Sequence, residues 1–202
     1  MTRAALKPKA ETIDQLLAEL RACRVCAAHL PLGPRPVVRG LPSARLLIIS
    51  QAPGTRVHET GLSFNDRSGD RLRTWLGIDR ATFYDERRIA ILPMGFCYPG
   101  RDAKGGDLPP RPECAPLWHT RVRAHWPAVA LTLLVGSYAI DYYLPQTKRQ
   151  SMTETVKAWR EAPDGILPLP HPSWRTTAWE KKNPWFQRKL VPALRRRIAA
   201  LL

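Results

Sequence analysis

Four short apolar runs punctuate the chain. They lie at 45–50 (RLLIIS), 88–92 (RIAIL), 129–135 (VALTLLV) and 166–169 (ILPL), with almost no polar alternation. A run of this kind is the pattern of a strand covered on both faces, as in a parallel sheet. Between the runs the period becomes helical. Ile13, Leu16, Leu17 and Leu20 share one face of 10–21, and Leu72, Trp75 and Leu76 share one face of 68–76. Further helices are expected at 113–123, 137–144, 153–160 and 184–202. Strands and helices alternate throughout, so the expected class is α/β: a central four-stranded, mostly parallel sheet flanked by helices. Residues 1–9 read as a loose basic start. Residues 30–43, with four Pro and two Gly, read as an ordered loop, and 51–66 as a long one. Neither a repeat nor a linker interrupts this order, so 1–202 is read as one domain.

In parallel sheets, ligands bind outside the carboxyl ends of the strands. Three such ends carry unusual loops: SQAPG (50–54), GFCYPG (95–100) and HPSWR (171–175). The 202 residues suffice for a substantial core, and 44% apolar residues with seven Trp indicate a globular chain. A secretory-type start and an 18-residue apolar run are both lacking, so a soluble, cytoplasmic protein without a membrane partner is expected. Charge narrows the partner. Thirty-two Lys and Arg against 17 Asp and Glu give +15. Over 171–202 eight basic residues face one acid, Glu180. Such an excess suits a polyanion, because each neutralised phosphate releases condensed counterions. Cys23 and Cys26 form a CxxC pair, followed by Cys97 and Cys114. In a cytoplasmic chain these four read as a tetrathiolate site, for zinc or an iron–sulfur cluster, or as buried free thiols.

Five segments, in order, resemble the uracil-DNA glycosylase superfamily, and most nearly its iron–sulfur branch, known as family 4. They are CRVC (23–26), IISQAPG (48–54), LSFNDRSGDRL (62–72), CYPGR with PPRPEC (97–101 and 109–114) and HPSWR (171–175). The resemblance implies a monofunctional glycosylase that excises uracil from single- and double-stranded DNA by hydrolysing the N-glycosidic bond. It implies a structural 4Fe–4S cluster on Cys23, Cys26, Cys97 and Cys114, no nucleotide cofactor, and action as a monomer. No Lys stands at a motif position for Schiff-base chemistry.

An enzyme of this kind must take its base out of the stack and stabilise charge as the bond breaks. By resemblance His171 donates to the base as negative charge grows on it. Loss of one such donor elsewhere costs about 3–4 kcal/mol. Phe64 is the expected stacking platform, worth roughly 1–3 kcal/mol, although a lone Phe is more often core. The loop at Gln51, Ala52 and Gly54 would cup the base with its backbone amides. Ser173, Trp174, Arg175, Thr176, Lys181 and Lys182 would face DNA, with Trp174 or Arg175 as a wedge.

The motifs also depart from the family. Gln51 stands where family 4 has Glu, and Ala52 where the best-known members have Asp. An amide is no general base, so Gln51 is read as positioning water or the base. Asp66 replaces the missing carboxylate: FNDRSGD resembles a family 5 pattern with an Asp after the aromatic. It would orient water or stabilise the cationic sugar, or else cap the following helix. Pro93 falls where the family reads uracil with an Asn. Base reading therefore passes to the backbone around Met94 and Gly95, or to Asn65. These departures keep two alternatives open: a non-catalytic, uracil-trapping DNA binder, and a glycosylase for hypoxanthine or xanthine.

Overall fold

A computed structural model of the chain describes residues 11–103, 105–146 and 149–202. The loose start expected for 1–9 lies outside the described residues. The four apolar runs form strands β1 (Leu46–Ser50), β2 (Ile89–Pro93), β3 (Leu131–Val135) and β4 (Ile166–Leu169). They pair in the order β2-β1-β3-β4, and every pairing is parallel. Register is fixed by pairs such as Ile48 with Ile91, Ile48 with Leu133, and Leu133 with Leu167. All five residues of β1, β2 and β3 are buried, which is why these runs show no alternation.

Helices cover both faces. α1 (Ile13–Arg21) opens with a capping box at Thr12 and Gln15 and buries Leu16 and Leu20. α2 (Thr55–Thr60) follows the first loop, inside the segment read as irregular from sequence. α3 (Arg67–Leu76) buries Leu72, Trp75 and Leu76. α4 (Arg80–Phe83) is one turn, capped by Asp79. The helix expected at 113–123 begins as π-helix over Ala115–His119 and continues as α5 (Thr120–Ala124). α6 (Ser137–Tyr143) leaves β3, and α7 (Met152–Lys157) has a capping box at Ser151 and Glu154. α8 (Thr176–Lys182) occupies a segment read from sequence as loop. The basic C-terminal helix passes from π-helix at Phe186–Leu190 into α9 (Val191–Leu201). One contiguous core runs from Leu16 to Ile198, with Trp75, Phe83, Phe96 and Phe186 among its largest fully buried side chains. Among the described residues no helix is long and apolar enough to cross a membrane.

Candidate active site

The carboxyl ends of β1, β2 and β4 open onto a cleft of about 230 Å³. Its walls are the turn Gln51-Ala52-Pro53-Gly54, the loop bearing Ser63, Phe64 and Asp66, the segment bearing Arg101 and Asp107, and the loop from His171 to Arg175. Pro93 forms part of its floor. Loops at opposite ends of the sequence thus meet because parallel strands send all their C-termini to one edge.

His171 sits just after β4. Its carbonyl accepts from the Ser173 N–H at 2.9 Å and from the Thr176 hydroxyl, which fixes the loop. Gly136, at the end of β3, lies directly against it: a Cβ there would be 3.3 Å from the His171 Cβ, on a backbone with φ +93°. Burial pushes the His171 imidazole below the usual histidine range, while Asp66 and Asp107 pull it partly back. The ring is therefore neutral near pH 7, and can donate one hydrogen bond without carrying charge.

Phe64 takes a left-handed backbone, φ +56°, and is the only non-glycine residue among those described to do so. Its ring meets Phe83 edge-on at 5.9 Å. The strain is held from two sides. Gly69 approaches so closely that a Cβ there would lie 1.8 Å from the Phe64 carbonyl oxygen, and the buried Arg73 guanidinium donates to that oxygen at 3.4 Å. Strained backbone persists only where its surroundings over-determine it. Asp66 faces the cleft and also caps α3, its Oδ1 accepting from the Gly69 N–H at 2.9 Å. Both roles weighed for it from sequence thus fall on one side chain. Ser63, on the same wall, keeps a buried hydroxyl with no partner among the described residues.

Three expected base contacts lie apart from the cleft lining. The Asn65 amide oxygen accepts from Arg80 at 2.9 Å. The Met94 and Gly95 N–H groups donate to the Ser50 and Gln51 carbonyls at 2.8 and 3.0 Å, tying β2 to the first loop. Of the residues expected to face DNA, Ser173, Trp174 and Arg175 line the cleft. Trp174 is 76% exposed, with the Arg175 guanidinium 5.2 Å from its ring centre. Thr176 is buried under His171, and Lys181 and Lys182 stand exposed on the last turn of α8.

Sequence reasoning missed two residues. Asp107 enters the cleft beside Gly54, 3.8 Å from where a Cβ would be. Arg71 braces the histidine loop, donating to the Ser173 carbonyl at 3.1 Å and the Thr177 hydroxyl at 2.5 Å, with Glu180 at 3.4 Å. Asp107 sits in a Gly-rich stretch with no periodicity to flag it. Arg71 reads as an ordinary exposed helix position until the fold brings residue 173 to it.

A second cluster lies outside the cleft lining. All four cysteines are free thiols and line one small cavity with Pro34, Pro36, Phe96 and Trp118. Burial pushes the Cys97 and Cys114 thiols up to about 11 and about 12, and the neighbouring cysteines push them further in the same direction. Thiols gathered this way, Cys26 and Cys114 buried and Cys23 and Cys97 partly so, are stable together as thiolates only with a cation among them. Among the described residues no three His, Cys, Asp or Glu side chains are placed to hold a single metal ion.

The family model described as uracil DNA glycosylase superfamily matches residues 38–195. That span contains all four strands, every cleft residue named above, and Cys97 and Cys114; Cys23 and Cys26 precede it. The match covers well over half of the 202 residues, and the chain therefore belongs to the uracil DNA glycosylase superfamily.

Proposed function

We propose that this protein is a monofunctional DNA glycosylase of the iron–sulfur, family 4-like kind, which flips a uracil nucleotide from DNA and hydrolyses its N-glycosidic bond. The observation that carries the reading is the single cleft into which His171, Phe64, Asp66 and the Gln51–Gly54 turn converge.

The extruded base enters between the Gln51–Gly54 turn and Phe64, which stacks on it. As the bond to C1′ stretches, electrons accumulate on the base and the sugar becomes cationic. The His171 N–H stabilises the departing base, where a preorganised neutral donor is effective because it needs no reorganisation. Asp66 is anchored through Oδ1 by the Gly69 N–H, and its carboxylate stabilises the cationic sugar or orients the water. Gln51 orients water or base by hydrogen bonding. Trp174 or Arg175 fills the gap left by the flipped base, while Ser173, Lys181 and Lys182 meet phosphates. Thr176 serves by holding the His171 carbonyl. The protein works as a monomer on single- and double-stranded DNA.

Cys23, Cys26, Cys97 and Cys114 would hold a 4Fe–4S cluster. The fit is chemical: four uncrosslinked thiols, Cys26 and Cys114 buried and Cys23 and Cys97 partly so, line one cavity. The cluster would tie the segment after α1 to the loop after β2, away from the reacting bond. Iron and sulfide in anaerobically purified protein, lost in Cys97→Ser, are the expected result; iron-free protein overturns the assignment.

The decisive assay is base release from oligonucleotides containing uracil, hypoxanthine or xanthine. Uracil release supports the main reading. Pro93 in the cleft floor, and Met94 and Gly95 N–H groups spent on the first loop, favour a second: a glycosylase for other deaminated bases, seen as release of hypoxanthine or xanthine instead. Tight binding with no abasic product would establish a base-trapping DNA binder.

A further inference from the structure

Asp66 is not the only carboxylate in the cleft. Residues on either arm of the segment after β2 pair as an antiparallel bridge between Arg101 and Asp107. The Leu108 N–H donates to the Gly100 carbonyl at 3.0 Å, and the Asp102 N–H to the Gly106 carbonyl at 2.8 Å. The Asp102 side chain also accepts from the Gly106 N–H at 2.8 Å. This hairpin delivers Asp107 to the cleft that Asp66 also lines, beside Gly54. Asp107 is loosely held: Arg101, its ion-pair partner among the described residues, stands at 3.8 Å, and their side chains are 58% (Arg101) and 50% (Asp107) exposed. A pair so open to water is weak. Asp66, by contrast, is fixed by its cap.

We propose that Asp107 is a further catalytic residue, the general base that accepts the proton of the attacking water. The role rests on the glycosylase reading and completes it, because neither Gln51 nor Ala52 can accept that proton. The C1′–N bond breaks with both electrons leaving on the base nitrogen. The water oxygen forms the new bond to C1′, and its proton passes to the Asp107 carboxylate. The freed base takes a proton from solvent, and Asp107 returns its own to solvent. Two carboxylates lining one cleft divide the work: Asp66 stabilises the cationic sugar and Asp107 deprotonates the nucleophile. His171 feels the charge of both.

The test is single-turnover base release by wild type, Asp107→Asn and Asp107→Ala, on whichever oligonucleotide of the panel wild type cleaves. Asp107→Asn is expected to slow release about 100-fold or more, with an unchanged thermal melt and unchanged affinity for an oligonucleotide carrying 2′-fluorodeoxyuridine. Added formate is expected to restore part of the Asp107→Ala rate. The acidic limb of the wild-type pH–rate profile is expected to vanish in Asp107→Asn. Release by Asp107→Asn at the wild-type rate overturns the role of Asp107 alone, as does a loss that formate does not restore. No release of any base by wild type overturns the glycosylase reading, and this role with it.

Discussion

At the scale of single residues, the site is built by two close backbone approaches. Gly69 lets α3 start beneath the left-handed Phe64, and Gly136 lets β3 end against His171. Gly69→Ala is expected to destabilise the protein by roughly 1–3 kcal/mol or more, the range for forcing atoms into a packed space, since its new carbon has no room beside the Phe64 oxygen. A urea titration checks it. His119 offers a test by pH. It is buried, with Nε2 3.0 Å from the Pro93 carbonyl and Nδ1 2.6 Å from the Tyr143 hydroxyl. A carbonyl only accepts, so Nε2 carries the proton and Nδ1 accepts from tyrosine. Burial lowers its pKa to about 4. The unfolded chain, titrating near the usual ~6.5, then binds more protons in between. The stability contribution is complete above that value and is lost as pH falls towards 4, by roughly 3 kcal/mol. The stability gap between wild type and His119→Gln is expected to shrink across this window.

At the scale of elements, α3 is the brace of the cleft. Its N-terminus carries Asp66, and its outer face sends Arg71 across to Ser173, Thr177 and Glu180. The first-wall loop, the histidine loop and α8 therefore move as one unit. Arg71→Ala is expected to lower base release by about tenfold or more through misplacement of His171, with less effect on the melt. If release is unchanged while amide exchange in 171–177 accelerates, the brace is structural only. Thr12, Asp79 and Ser151 cap the starts of α1, α4 and α7 as their chemistry predicts, yet α2, α4 and α8 were too short to show a period.

At the scale of the whole molecule, charge and fold must act together. The net charge of +15 is concentrated towards the C-terminal segment, and the cleft lining includes Arg101, Arg175 and the exposed Trp174. Binding to an uncleavable oligonucleotide is expected to weaken by about 10³-fold or more between roughly 50 and 200 mM salt, the signature of several phosphate contacts. A flat salt response would argue against a backbone-gripping surface. Trp174→Ala is expected to slow release from duplex more than from single strands, because only the duplex leaves a gap to fill.

The sequence alone determined the parallel sheet, because strands buried on both faces must be continuously apolar, and it marked SQAPG and HPSWR as the loops that meet. It named His171, Phe64 and Asp66 through the resemblance of their segments, in order, to one family. What only the tertiary structure decided are the long-range pairings. Met94 and Gly95 are spent on the first loop, Asn65 turns to Arg80, Arg71 reaches the histidine loop, and a Gly-rich hairpin brings Asp107 beside Gly54. None of these has a local signature. Each is a contact between segments that approach only because parallel strands deliver their loops to one edge of the sheet.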